Sequence, residues 1–238
     1  MKRAFPLLLL LGALGCRETV VAIEVMIPDA TGQLRPAAGV TVMALPYDRD
    51  SLMASMENEA PTPRPHTAEL DSLFQVFREP FAQSTQLAML MERLQDSLQR
   101  VPDDPTAAGG RRSIEDSLAA LGRAREEASL RLNAVRVLVG PRIDSLRAEV
   151  RAWEAVAFRN WAATTSALTS GRLVAGITDT TRHDGTTRLY LPPGGRGWWV
   201  YGRSFNSGDP NSEWYWNLPI SGPRLVLDTS TGRLRPRY

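Results

Sequence analysis

The hydrophobic period changes twice along this chain, and that change restricts the fold more than any single motif does. Between residues 19 and 45 apolar side chains recur at every second position, with Val21, Ile23, Val25 and Ile27 forming one strand and residues 39–45 a second. Asp29, Thr31 and Gly32 mark the turn between them. From residue 67 to 168 the spacing becomes that of a helix seam. Leu70, Leu73, Phe77, Leu87, Met91, Leu94, Leu98 and Val101 alternate in steps of three and four, with Pro80 and Ser84 at the two remaining seam positions. Pro80 predicts a break, hence one helix before it and one after. The proline- and glycine-rich stretch 101–112 predicts the reversal. Ser113 with Asp116 has the spacing of a capping box for the returning helix. A second seam follows through Ile114, Leu118, Leu121, Ala128, Leu132, Val135 and Val139, with Arg125 as a charged intruder. Gly140-Pro141 predicts an interruption, after which Ile143, Leu146, Val150, Trp153 and Ala157 resume on a shifted stripe. Two such seams around one turn describe an antiparallel coiled-coil hairpin.

Beyond Gly171 the period returns to two. Strands are expected at 173–177, around Leu189 and Leu191, and at 198–203, 213–218 and 224–227, with a hairpin-type turn at 182–186. Two N-terminal strands cannot bury a face alone, so they must join the five C-terminal ones. The expected fold class is therefore α+β: a seven-stranded antiparallel β-sandwich interrupted by an α-helical hairpin. Its parts are residues 16–48, a linker at 49–66 with room for a short helix, the hairpin at 67–168, and the second part of the sandwich at 171–238.

Two stretches carry a family resemblance. Residues 32–42, ending Gly39-Val40-Thr41-Val42, resemble the opening of carboxypeptidase regulatory-like domains, which are transthyretin-like sandwiches. The stretch through Asp184-Gly185-Thr186, Leu191-Pro192-Pro193-Gly194 and Trp198-Trp199-Val200-Tyr201 is similar to the family's Asp-Gly turn, its Leu-Pro-x-Gly corner and its aromatic strand. The resemblance implies a noncatalytic stabilising or binding module. The family's 5-hydroxyisourate-hydrolysing relatives close with a Tyr-Arg-Gly-Ser/Thr tail. This chain ends Arg235-Pro236-Arg237-Tyr238, so nothing of that site carries over.

The N-terminus reads as an address. Lys2 and Arg3 precede an apolar run that ends in Gly12-Ala13-Leu14-Gly15-Cys16. The run extends about 18 Å as a helix, short of a hydrocarbon core of about 30 Å. Small residues before the lone cysteine resemble the lipobox of bacterial lipoproteins. That implies removal of residues 1–15, acylation of Cys16, and a membrane anchor through it. An ordinary secretory signal cut near Gly15 is the alternative. Arg17 after the cysteine resembles an outer-membrane sorting signal, which places the expected destination on the periplasmic face of the outer membrane.

Charge and elimination narrow the chemistry. The formal charge of +2 comes from 28 bases against 26 acids, and loss of Lys2 and Arg3 cancels it. A mature chain without basic excess offers no footprint for a nucleic acid. Lys2 is the only lysine, so phosphate-loop, Schiff-base and Ser-x-x-Lys chemistry leave with the signal. His66 and His183 fall in a linker and a turn, and with one cysteine they cannot complete a zinc site. Asp179, Asp184, Asp209 and Glu213 lack EF-hand spacing, so a calcium site would require their turns to cluster. No catalytic residue, metal or cofactor is expected.

Aromatic residues crowd the C-terminal strands. Alternation puts Trp199, Tyr201 and Phe205 on one face and Trp198 on the other, and it sets Trp214 and Trp216 opposite Tyr215. One face fills the core, and the other is open to function. Two functions are expected. The first is a nonenzymatic, lipid-anchored envelope protein that presents the hairpin to a protein partner. The second is a glycan-binding module that stacks sugars on Trp198, Trp199, Tyr201, Trp214 and Trp216, with Arg203 and Glu213 orienting hydroxyls.

Overall fold

A computed structural model describes residues 19–29, 31–102, 104–170, 174–192, 197–206, 209 and 211–237. Cys16 and the rest of the expected signal lie outside the described residues. The fold is α+β. Strands β1 (Thr19–Pro28), β2 (Leu34–Pro36) and β3 (Thr41–Leu45) lead into helices α1 (Arg49–Asn58), α2 (Ala68–Arg100), α3 (Ala108–Ala157) and α4 (Trp161–Thr169). Strands β4 (Ile177–Thr180), β5 (Thr186–Leu191), β6 (Trp199–Phe205), β7 (Ser212–Pro219), β8 (Arg224–Leu227) and β9 (Arg233–Pro236) follow.

Nine strands form among the described residues where seven are expected. The additions are short: β2 pairs with the end of β1, and β9 pairs with the start of β7. The first strand expected after the helices shrinks to β4, since 174–176 are not strand and 173 is not described. One sheet joins β2, β1 and β5 and adds β8, which runs parallel to β1 through Ala22–Val25 and Arg224–Leu227. That single parallel pair departs from the all-antiparallel expectation. The second sheet has the order β4-β3-β6-β7-β9 and is antiparallel throughout. The two sheets share one core. Val21, Ile23 and Val25 of β1 and Leu189 and Leu191 of β5 meet Val42, Val200, Trp214 and Trp216 of the other sheet. Strands β1, β3, β5 and β7 supply alternate residues to it, as a period of two requires.

The turn at 182–186 is a corner between the sheets rather than a hairpin, because β4 pairs with β3 and β5 with β1. Gly185 has φ +74°, and a Cβ there would lie 2.8 Å from the Val25 carbonyl oxygen, so only glycine fits. Buried Thr181 locks the corner, its hydroxyl donating to the Ala37 carbonyl at 2.6 Å and accepting from Val40 N–H at 2.9 Å.

The helices α2 and α3 pair as an antiparallel hairpin. Glu69 at the start of α2 holds Arg142 of α3 through two bonds of 2.7 and 2.6 Å, and Met91 and Gly122 line one small cavity farther out. Neither expected break occurs. α2 runs through Pro80 and α3 through Gly140-Pro141, since each proline removes one backbone bond while the flanking seam stays packed. The capping box is also overridden. Asp104 accepts from Thr106 and Ala107 N–H at 2.7 and 3.1 Å and starts a 3₁₀ turn, Pro105–Ala107, that feeds α3 directly. Ser113 therefore lies inside the helix, its carbonyl accepting from the Ser117 hydroxyl. The reversal is shorter than the 101–112 expected.

Most seam residues are half-buried; Ala128 alone in the outer part of the hairpin is fully buried. The base is packed more tightly. Leu70 and Phe74 meet Ile143 and Leu146, and Trp153 of α3 donates its indole N–H to the Thr62 carbonyl at 2.8 Å. Arg78 to Asp209 at 3.1 Å and Arg147 to Asn211 at 3.2 Å tie that base to the β6–β7 connection.

Candidate functional site

The aromatic strands divide as alternation requires, but the face expected to be open is roofed. Trp198, Trp214 and Trp216 point into the core and are buried. The Trp216 indole N–H donates to the Asp228 carbonyl at 2.9 Å, and Trp214 stacks on Trp216 with centroids 6.4 Å apart. A sugar-stacking platform that needs those three exposed is not formed. Of the five residues expected to form it, only Trp199 and Tyr201 remain on the outer face, each half-buried. The reason is volume: an indole on the inner face of a two-sheet core removes more apolar area from water than any other side chain there.

On the outer face of β6 and β7, Tyr201 and Tyr215 meet edge to face at 5.6 Å. Helix α1 lies over them. Asp48 caps it, accepting from Asp50 N–H at 3.0 Å and from the Asn217 amide at 2.6 Å. Burial pushes the Asp48 carboxyl up, but bonds from Ser51 and Asn217 outweigh it and hold its pKa below the ordinary value. Asp50 accepts from the Tyr215 hydroxyl and, at 2.8 Å, from Arg233. Burial, and then the Asp50 carboxylate, push the Tyr215 phenol up to about 12. The Arg49 guanidinium stands 4.8 Å from the Tyr201 ring and 5.2 Å from the Trp161 ring, which fastens α4 to the same roof.

Strand β9 supplies the rest. Arg233 and Arg235 of β9 alternate with Arg237 just past its end, and the three line one side of the same cleft. Arg235 lies 3.9 Å from the Tyr215 ring and donates to Glu213 at 2.7 Å. Glu213, 7% exposed, also has Arg203 of β6 and Arg237 at 3.9 Å, one at each carboxylate oxygen. These groups border a cleft of about 1070 Å³ between the sheet, α1 and the end of α3, with six arginines and four carboxylates on its walls.

The other candidates are scattered. Asp179 binds the Thr187 hydroxyl, Asp184 closes its own turn through Thr186, Asp209 holds Arg78, and Glu213 holds Arg235. The four carboxylates are thus spent on separate partners, and no metal-binding group of three or more forms among the described residues. His66 and His183 are exposed on the linker and the corner.

Sequence reasoning missed the roof and the arginine row. Both left signals: Asp48-Arg49-Asp50-Ser51 is a helix start, and Arg233-Leu234-Arg235-Pro236-Arg237 alternates with a period of two. No family model, curated protein or solved structure matches the chain.

Proposed function

We propose that this chain is a nonenzymatic lipoprotein of the bacterial envelope, anchored through acylated Cys16, whose hairpin docks on a helix of another envelope protein. In this reading the two-sheet unit is a transthyretin-like sandwich of the carboxypeptidase regulatory-like kind, facing the periplasm from the outer membrane. The shared core of the sheets and the glycine-dependent corner at Gly185 support that assignment.

One observation carries the docking. Leu130 and Val137 are 64% and 78% exposed on α3, seven residues apart and on the side opposite the seam, and Leu138 beside them is 79% exposed. Apolar side chains at heptad spacing on an outer helix face match the knobs of a partner helix. In-cell photo-crosslinking from Ala134, which lies between them, tests the reading, with Glu92 and Glu127 as comparison positions. A discrete protein adduct that vanishes when Leu130 and Val137 are changed to arginine is expected. An adduct that survives those changes, or the lack of one, overturns it. Metabolic labelling with a palmitate analogue tests the anchor, and Cys16→Ser should abolish it.

A further inference from the structure

We propose that the cleft over β6, β7 and β9 binds a phosphate monoester, with Arg203 and Arg237 as the groups that hold the phosphate.

The argument starts from an imbalance around Glu213. Three guanidiniums converge on this one buried carboxylate, but only Arg235 bonds to it closely, at 2.7 Å. Arg203 and Arg237 stop at 3.9 Å, outside hydrogen-bond range, and their side chains are 55% and 47% exposed toward the cleft. Glu213 thus leaves the donors of two charged forks unused. Balancing them takes two negative charges in a small volume. A carboxylate brings one, whereas a phosphate monoester near neutral pH brings nearly two and three acceptor oxygens. Guanidinium pairs this oxygen geometry bidentately, and a partly enclosed cleft screens the attraction less than open solvent does.

The walls suit an ester rather than the bare ion. Phe205, 47% exposed, lies 5.9 Å below the Arg237 guanidinium, and Tyr201 lines the same space. They leave an apolar side for the organic part of the ligand. The concentration of arginines here contrasts with a mature chain that has no net charge, so the local excess is a property of this site.

A soluble phosphate ester and the terminal phosphate of a lipid share this chemistry, and the test separates them. The mature chain, residues 16–238 with Cys16→Ser, so that neither the signal nor an acyl group reports on membranes, is titrated calorimetrically at low salt with sn-glycerol 3-phosphate and with inorganic phosphate. The same protein is sedimented with phosphatidylcholine vesicles with and without phosphatidic acid. Saturable binding of glycerol 3-phosphate that weakens with salt assigns a soluble ester, and sedimentation with phosphatidic acid alone assigns the lipid. In either case Arg203→Gln with Arg237→Gln should weaken binding about tenfold or more. Glu213→Gln, which removes the competing carboxylate, should tighten it. Arg131→Gln on the hairpin should change nothing, and a thermal melt of each variant confirms folding.

No saturable binding of either soluble probe together with no phosphatidic acid dependence overturns the proposal. So does an equal loss in Arg131→Gln, or weaker binding in a folded Glu213→Gln.

Discussion

The two-sheet unit and the hairpin are stabilised in different ways, although they belong to one chain. Fourteen buried residues form the described core of the sheets, and they come from strands and strand flanks distant in sequence. Four buried residues form the cluster at the base of the hairpin, and beyond it the seam is half-buried. The sheets exist because of tertiary burial. The outer hairpin persists on local backbone bonds plus one thin apolar stripe. Pro80 and Pro141 sit inside the helices beside the packed base, where the loss of one backbone bond is borne by the flanking seam, whereas the sheet corner admits only glycine at 185.

The contrast is open to attack, the deepest core position first. Trp216→Ala should destabilise the two-sheet unit by about 3–5 kcal/mol in urea unfolding. Leu94→Ala in the outer hairpin should cost well under half of that, and equal costs would erase the distinction. Next comes Gly232, where a Cβ would lie 2.3 Å from the Trp216 indole nitrogen. Gly232→Ala should cost about 1–3 kcal/mol by overpacking, read in the same assay.

Asp48→Ala removes the α1 cap and should cost about 1 kcal/mol, seen as faster hydrogen exchange confined to α1 and its contacts. Because the folded pKa of Asp48 is depressed, the stabilisation is full above the ordinary carboxylate value. It is lost as pH falls through the depressed one. Acid should therefore loosen the roof in the parent and not in Asp48→Ala. Tyr215 behaves in the opposite sense. Its folded pKa is raised, so its contribution is constant below pH 10 and falls away as pH climbs from about 10 to about 12. Ultraviolet titration should show a tyrosine that ionises only near pH 12 and is missing in Tyr215→Phe. Smallest of all, Glu69→Ala breaks an ion pair whose partners are both about half exposed. It should leave the midpoint of urea unfolding nearly unchanged, because solvent screens an exposed pair.

The same contrast explains what could be read in advance. Alternation locates Val21–Val25 and Leu189–Leu191 and separates Trp214 and Trp216 from Tyr215, because a period of two fixes which side chains share a face. Seam spacing locates the hairpin for the same reason. Alternation does not say which aromatic face is the core, and the platform expected of Trp198, Trp214 and Trp216 fails for that reason. Breaks were misread because Pro80, Pro141 and Ser113 were judged locally, while packing on a neighbouring helix and a cap at Asp104 decided the outcome. The cleft was hidden because its parts are non-local. Asp50 meets Arg233, and Glu213 meets Arg235 and Arg203, only once α1 and β9 have docked on β7.

The pairing of β3 with β4 sets an order of events during folding. Leu45 ends β3 and Ile177 begins β4, where it pairs with Ala44, so the chain leaves and re-enters the sheet at one point after an excursion of more than half its length. Closing a floppy loop of that length before any of it has formed is slow, because chain entropy is lost ahead of the contacts that repay it. A helical hairpin zips from local contacts on a far shorter timescale and brings its own ends together. Formed first, it shortens the effective distance the sheet strands must search across, so the least buried part of the molecule is the part that sets the pace for the most buried.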